Sequence, residues 1–564
     1  MSFARLRQIE PSSLVFGVLI IAMVLLVVGP IARLLLVSVQ EAETGALTLA
    51  NYAAAYGRPR YLGALLNSLM LGGTVCALGL AMALPLAWAV ARTDMPGRNF
   101  TKIMVLGAFM IPPYLGAVGW MLLAGPNAGW LNRAWMWVTG AENGIFDIYT
   151  FSGLALVIAL SSFPYIYVFV SSALELVSSE LEDAASILGS GPWRTTLRVT
   201  MPLVMPAIIA GVIVCFLESI ALFGTPALIA LPARFTVVTT QLWQFFEFPT
   251  RVEVAAAYSM PLLVVTVALF GLQKLLLARK GYVAVSGKGG ERRPLRLGAW
   301  RWPMFGYCFF VALLAVILPM IVLLQAAFAK AWGRGFALDN VTLRNFIYIL
   351  FEHDKARASV GNSFQYGATT AFIAIGLALA VAYVVNRRLV RFGGVLSFLC
   401  MAPFVIPGIV LAIGFYATYA PPPLALYGTA TILVLAFVTR FLPIAYANAD
   451  AAIKAINPEM EEAVRILGGG RLTAIRRVVA PLLKKSMAGG WLLVFIPATR
   501  ELSAAIFLVG PNTRVMSVLL YDLSEEGNFE QLAALGTVLL AITLGLSLIG
   551  FRVIGRDFML RRGG

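Results

Sequence analysis

The chain has 564 residues, 60% of them hydrophobic and only 12% charged, with a mean hydropathy of +0.86 and a formal net charge of +16. A soluble domain is nearer half apolar and a quarter charged, so this composition cannot clothe a water-facing surface and lipid must be the main solvent. The basic residues fall in short segments between apolar runs, as the positive-inside rule expects, and form no stripe with interleaved aromatics, which excludes nucleic acid as a partner.

A bilayer core needs about 20 apolar residues per helix, and on that measure the chain reads as an all-α protein of about twelve spans. The first run, 14–38, is too long for a signal-peptide core and no small-residue cleavage pattern follows it. With Arg5 and Arg7 before it, a retained span with a cytoplasmic N-terminus is expected. Further spans are predicted over 64–91, 103–124, 150–175, 201–224 and 254–277. A basic segment without apolar periodicity, 279–302, then divides the chain into a first half, 1–278, and a second half, 303–564. The second half is expected to span at 303–328, 361–386, 396–419, 426–449, 482–508 and 531–551.

Twelve crossings return the C-terminus to the side of the N-terminus, and the charges test that topology. The expected cytoplasmic segments hold Arg92, Arg98 and Lys102, then Arg279, Lys280, Lys288, Arg292, Arg293, Arg296 and Arg301, then Arg387, Arg388 and Arg391, and finally Arg552, Arg556, Arg561 and Arg562. The opposite loops carry mixed charge, such as Glu41, Glu43, Arg58, Arg60, Glu525 and Glu526. Cys76, Cys215, Cys308 and Cys400 lie far apart inside apolar runs and read as buried free thiols. His353 stands alone, so no metal cluster or His-based triad is expected.

The halves are alike. Asn67-Ser68 and the run Leu84 to Arg92 match Asn362-Ser363 and Leu379 to Arg387, 295 residues later, and Pro112 and Gly119 match Pro407 and Gly414 at the same offset. Beyond the third span the offset falls to 279, which one longer loop in the first half, 125–149 against about 420–425, explains.

Between the fourth and fifth spans of each half a polar segment interrupts the apolar pattern. The first copy reads Asp183-Ala184-Ala185-Ser186-Ile187-Leu188-Gly189, with Pro202 thirteen residues after the glycine. The second reads Glu462-Ala463-Val464-Arg465-Ile466-Leu467-Gly468, with Pro481 at the same distance. The acidic-Ala-Ala stretch favours a helix with small side chains that permit close approach. The glycine can take φ > 0 and turn the chain out of that helix, and the proline suits the first turn of the next span. A single copy would also fit an ordinary amphipathic cytoplasmic helix; two copies in matching positions argue for a shared role.

These segments resemble the EAA loop of ABC importer permeases, in which Glu-Ala-Ala, three residues, a Gly and a later Pro recur. Asp183 for Glu and Val464 for the second Ala are mild departures from that pattern. The resemblance implies the type I importer permease fold, with short coupling helices at about 180–198 and 459–477 docking in clefts of two copies of an ATPase subunit. Asp183, Ala184, Ala185, Gly189 and Pro202, with Glu462, Ala463, Gly468 and Pro481, are the residues it assigns to coupling. It further implies a periplasmic or extracellular binding protein and residence in a bacterial inner membrane. The chain has no phosphate-binding loop, since Gly287-Lys288-Gly289 lacks the leading glycine and the Ser/Thr. It is therefore expected to be a non-catalytic subunit, with no cofactor and no metal of its own.

The fused layout is similar to that of ferric-iron permeases, and the segments Phe223-Gly224-Thr225-Pro226, Pro232-Ala233-Arg234-Phe235, Arg500-Glu501-Leu502 and Tyr521-Asp522-Leu523 add to the likeness. Related fused permeases carry thiamine or phosphonate, which stay open as cargoes. Glu218 and Glu501 follow Pro202 and Pro481 by about 16 and 20 residues, which puts both well across the membrane at similar depth. Ionisable groups there face the bundle interior or an aqueous path, and a carboxylate pair would attract a hard cation such as ferric iron. They equally fit a structural role, Glu501 pairing with a basic neighbour such as Arg500 and Glu218 bonding to adjacent helices. Arg440, also inside a span, is expected to snorkel or to bond backbone carbonyls. Trp120, Trp130, Trp135 and Trp137 read as an interfacial aromatic belt. An ion-coupled secondary transporter also has twelve spans in two halves, but it has no need of a repeated EAA loop and normally embeds more charge.

Overall fold

The computed structural model describes residues 11–177, 179–279 and 294–554. Arg5, Arg7, Lys280, Lys288, Arg292, Arg293, Arg556, Arg561 and Arg562, with the Gly287-Lys288-Gly289 stretch, lie outside the described residues. Among those described the chain is helical, with no strand and three isolated bridges.

In chain order the elements are α1 (Leu14–Ser38), α2 (Pro59–Arg92), α3 (Arg98–Met110), α4 (Pro113–Ala124), α5 (Trp130–Thr139), α6 (Phe151–Leu176), α7 (Ser179–Ile187), α8 (Trp193–Ala221), α9 (Gly224–Ile229), α10 (Val238–Gln244) and α11 (Val252–Arg279). The second series is α12 (Gly298–Ala327), α13 (Asp354–Asn386), α14 (Gly393–Val405), α15 (Gly408–Tyr419), α16 (Ala430–Lys454), α17 (Glu459–Ile466), α18 (Arg471–Thr499), α19 (Ala505–Leu508), α20 (Met516–Glu525) and α21 (Phe529–Ile554). Among the described residues, ten single helices are long and apolar enough to cross a membrane. The expected spans 103–124 and 396–419 are instead broken: α3 and α4 meet at 100°, α14 and α15 at 113°. Pro112 and Pro407 sit at the breaks, with ψ of 132° and 141°, each capping the second arm. A proline has no N–H to continue the first arm and pushes the residue before it out of the helical region.

Two compact units emerge, and they cross the division by sequence halves. One comprises Tyr56–Gln244 and Val264–Asn345, so α12 packs with first-half helices, notably on α4. The other comprises the described parts of Met1–Ala55 and Phe346–Gly564 with Phe245–Leu263, so α1 packs with second-half helices, notably on α15. The core of the first unit is α2 against α6 and α8; that of the second is α13 against α16 and α18. Leu14, Val18 and Ile21 of α1 are about 60% exposed, which water would penalise and acyl chains would not.

Prolines inside four of the spans share one local solution. Pro30, Pro202, Pro319 and Pro481 each follow by two residues a five-residue π turn, namely Val24–Val28, Thr196–Thr200, Leu313–Ile317 and Ile475–Val479. A proline ring clashes with the carbonyl four residues back; the widened turn moves that carbonyl aside, and the residue before each proline bonds five residues back instead. Pro202 and Pro481 therefore do not open their spans, as the sequence suggested. They sit inside α8 and α18, which run unbroken through the π turn. The repeated glycines meet two of these kinks. A Cβ on Gly119 would lie 2.7 Å from Pro319, and one on Gly414 would lie 2.7 Å from the carbonyl oxygen of Pro30. Only glycine lets the backbones approach so closely.

All four cysteines are buried and free. The aromatic belt is only partly present: Trp137 and Trp135 are exposed, whereas Trp120 is buried and Trp130 packs edge-on against Phe336 with centroids 4.3 Å apart.

Candidate functional site

Each unit contains one helical hairpin built from the repeated polar segment. In the first, α7 is followed at once by a turn at Gly189, whose φ is +80°. The Ser190 N–H bonds the Ala185 carbonyl at 2.9 Å and the Gly189 N–H bonds that of Ser186 at 2.9 Å. In the second, α17 is followed by a turn at Gly468, φ +83°, with the Gly469 N–H bonding the Val464 carbonyl at 2.9 Å and the Gly468 N–H that of Arg465 at 3.0 Å. Both are Schellman caps, which a left-handed glycine completes without steric cost. The expected segments, about 180–198 and 459–477, are thus each a short helix, a glycine turn and the first turns of the next span.

What seats each hairpin is an acidic residue one position before the assigned motif. Glu182 pairs with the guanidinium of Arg92 and accepts from the Thr200 hydroxyl at 2.7 Å. Arg92 is 8% exposed and also donates to the Val177 carbonyl at 3.1 Å. In the second unit Arg387 meets Glu461 through Nη2 at 2.6 Å and Nε at 2.7 Å, and Tyr383 donates to the other carboxylate oxygen at 2.7 Å. Both arginines end the repeated runs Leu84 to Arg92 and Leu379 to Arg387, so one clasp is used twice. The sequence carried the signal, an arginine closing the matched run and a glutamate before Asp183 and Glu462 in both copies, but only the fold joins them.

The seated hairpin points its remaining groups outward. Asp183, Ala184, Glu462 and Ala463 are exposed and Ala185 is half-buried. Ile187 and Leu188 are 86% and 87% exposed, Ile466 and Leu467 85% and 87%. The same apolar pair is thus exposed at the same turn of both hairpins.

The second repeated constellation lies where the spans α8 and α18 give way to short helices. Asn67 donates to the Thr236 carbonyl at 2.9 Å, and the Ser68 hydroxyl accepts from the Val238 N–H at 2.8 Å. Asn362 donates to the Arg514 carbonyl at 2.9 Å, and Ser363 accepts from the Met516 N–H at 2.7 Å. The first turns of α10 and α20 are thereby capped by a serine on a neighbouring helix, which satisfies amides a helix start leaves free. From the same turns Thr239 donates to the Leu222 carbonyl at 2.9 Å and Ser517 to the Glu501 carbonyl at 2.7 Å, tying each short helix to the end of its span.

Of the residues expected along a path, Glu218 lies in the first unit, and Arg500 and Glu501 in the second. Glu501 accepts from the Ala504 N–H at 3.0 Å, and its carboxylate lies beside Gly408 together with the Arg440 guanidinium. Arg440 donates to the Ile406 carbonyl at 2.8 Å, the group left unpaired where Pro407 breaks the helix. Of its two expected roles Arg440 takes the carbonyl bond, and Glu501 keeps company with it at the break. Among the described residues no three His, Cys, Asp or Glu side chains gather to hold a metal ion.

Residues 16–282 and 372–556 match the family of binding-protein-dependent transport system inner membrane components. Among similar proteins, the ferric transport system permease protein FbpB of Actinobacillus pleuropneumoniae is 25% identical over 98% of this chain and 80% of its own length. A candidate ferric transport permease of Haemophilus influenzae, FbpB 1, is 28% identical over 80% of this chain and 71% of its own length. A candidate 2-aminoethylphosphonate transport permease of Salmonella typhi, PhnV, is 26% identical over 40% of this chain and 85% of its own length.

Proposed function

This chain belongs to the family of binding-protein-dependent transport system inner membrane components, and from that premise we propose that it is the fused translocation subunit of a ferric-iron importer driven by ATP hydrolysis in separate subunits. The observation that carries the coupling half of this reading is the pair of clasped hairpins. Each is seated by an Arg–Glu pair, more deeply buried in the second hairpin than in the first, and each presents an uncovered Ile-Leu pair at its glycine turn. Two ATPase copies, one per hairpin, would cover those pairs. A binding protein would deliver cargo on the opposite face, with both termini on the ATPase side of the inner membrane.

The mechanism follows from where force can enter. ATP binding would close the ATPase dimer and draw the hairpins together. The clasps would pass that motion to the ends of α2 and α13, and the short helices α10 and α20, tied to Ser68 and Ser363, would follow. Hydrolysis would reverse the cycle. The chain itself needs no catalytic residue. Glu501 and Arg500, with Glu218 from the other unit, are proposed to line the route of the cargo, and Arg440 to hold the helix break beside it.

Ferric iron as cargo is supported by the two ferric permease relatives, which span most of this chain. The phosphonate permease relative supports an oxyanion cargo as the second reading. ATP-dependent uptake into proteoliposomes containing this chain, its ATPase and its binding protein decides between them, with labelled ferric iron, 2-aminoethylphosphonate and thiamine run in parallel. Uptake of iron alone is the expected result. ATP hydrolysis stimulated by the binding protein, with no iron uptake, would keep the importer and discard iron.

A further inference from the structure

A groove of about 350 Å³ opens at the same end of the first unit as its hairpin, and nothing in the transport cycle above uses it. Its walls are Pro85 of α2, Trp193 at the start of α8, and Leu297, Trp300, Pro303 and Met304 around the start of α12. Tyr307 closes its deep end and spends its hydroxyl on the Ala81 carbonyl, 2.7 Å away, so the lining offers no free polar group there.

The groove is built rather than incidental. Trp193 stacks on Trp88 with centroids 5.2 Å apart. Leu295 bridges to the end of α2, its N–H bonding the Arg92 carbonyl at 2.8 Å and its carbonyl the Asp94 N–H at 3.1 Å, while the Leu297 N–H bonds the Asp94 carboxylate at 2.9 Å. The last residues before α12 are therefore strapped beside the arginine that clasps the hairpin. In the second half Ala380 and Leu472 stand where the repeat places Pro85 and Trp193, so those two walls are not repeated.

Depth and charge together identify the occupant. Pro85 lies two helical turns before Arg92, and Tyr307 nearly two turns after Arg301, so the groove runs about 10 Å into the spans. A soluble partner docked on the hairpin cannot reach that far, whereas an acyl chain already lies there. Each of three wall residues has an exposed arginine as its chain neighbour: Arg194 beside Trp193, Arg296 beside Leu297, and Arg301 beside Trp300. Arg194 and Arg296 make no ion pair among the described residues, and Arg301 only leans over Trp302, 5.7 Å from the ring centroid. Trp193 and Trp300, at the rim, are 51% and 66% exposed, the placement of aromatic rings at a headgroup boundary. Three arginines next in sequence to the walls of an apolar slot, with no ion pair among the described residues, fit an anion carried on a hydrocarbon chain.

We infer that the groove between α2, the start of α8 and the start of α12 binds one anionic phospholipid, its acyl chain against Trp193 and Met304 and its phosphate among Arg194, Arg296 and Arg301. The lipid braces the first hairpin against residues 294–297, just before α12. This rests on the orientation proposed above, which puts the groove in the cytoplasmic leaflet, where anionic headgroups concentrate.

The test uses the full chain in nanodiscs carrying a trace of phosphatidylglycerol with a diazirine midway along one acyl chain, and, separately, phosphatidylcholine with the same label. After illumination, peptides containing Trp193 and residues 297–307 should carry more of the phosphatidylglycerol label than of the phosphatidylcholine label. Replacing Arg194, Arg296 and Arg301 by Gln should erode that preference by about fivefold per arginine, the worth of one basic group at an anionic surface. Met304→Trp, which fills the slot, should remove labelling by both lipids at these peptides while labelling elsewhere on the chain continues. Equal labelling by the two lipids in the unaltered chain, or site labelling that survives Met304→Trp, overturns the inference. Stimulation of ATP hydrolysis by the binding protein is read separately, so a failure of the coupling reading would not be mistaken for a failure of the lipid site.

Discussion

Replacing Glu461 by Gln isolates the clasp of the second hairpin. The Arg387 and Glu461 side chains are 11% and 10% exposed, and the guanidinium reaches the carboxylate through two nitrogens. Without the carboxylate, Arg387 keeps the Ile456 carbonyl at 3.2 Å as its acceptor, and an uncompensated charge stays buried. Breaking such a pair costs about 3–5 kcal/mol, and about 1.4 kcal/mol is a factor of ten. If the whole cost falls on seating the hairpin, the equilibrium constant for seating drops by about a hundredfold or more. Binding-protein-stimulated ATP hydrolysis by the reconstituted complex should fall accordingly, while unstimulated hydrolysis by the ATPase remains. Arg387→Leu combined with Glu461→Leu removes both charges and should be milder than Glu461→Gln alone, because no orphaned charge is left. Glu182→Gln should be milder too, since the Glu182 side chain is 24% exposed. Stimulation by Glu461→Gln equal to the unaltered chain would refute the reasoning.

Gly189→Val and Gly468→Val force a β-branched residue to φ of about +80° and should each cost about 1–3 kcal/mol at the turn, with reduced stimulated hydrolysis; Asn at either position should retain most of it. Ser68→Ala and Ser363→Ala orphan the Val238 and Met516 amides and should each lower the melting temperature in detergent, by the equivalent of about 1–3 kcal/mol. Glu501→Gln should reduce cargo uptake while ATP hydrolysis is still stimulated. Arg440→Gln, which frees the Ile406 carbonyl at the break, should reduce thermal stability as well as uptake.

The span pattern, the duplication and the hairpin glycines were legible because each has a local cause: apolar length, repeated residues, and a positive φ that favours glycine. The breaks at Pro112 and Pro407 were not, although both prolines were matched between the halves. A proline within an apolar run can kink a helix, ride on a π turn as Pro30 and Pro319 do, or break it, and tertiary packing makes the choice. The clasp residues escaped because Arg92 reads as one more cytoplasmic positive charge, whereas it is 8% exposed and paired across 90 residues of chain with Glu182. Asn67-Ser68 and Asn362-Ser363 were visible as repeat markers, but their partners, the amides of Val238 and Met516, have no signature in sequence. The grouping of α1 with second-half helices, and of α12 with first-half helices, is likewise a long-range choice that no local pattern encodes.

The most direct measurement changes the two apolar pairs that the hairpins leave uncovered. Leu188→Asp combined with Leu467→Asp alters side chains 87% exposed, so the melting temperature of the chain alone should not move. If the pairs are the seats of the ATPase, burial worth about 1.5–3 kcal/mol per leucine is lost. The ATPase should then no longer co-purify with the chain, and binding-protein stimulation of hydrolysis should vanish. Intact assembly and stimulation in that double variant would contradict the account.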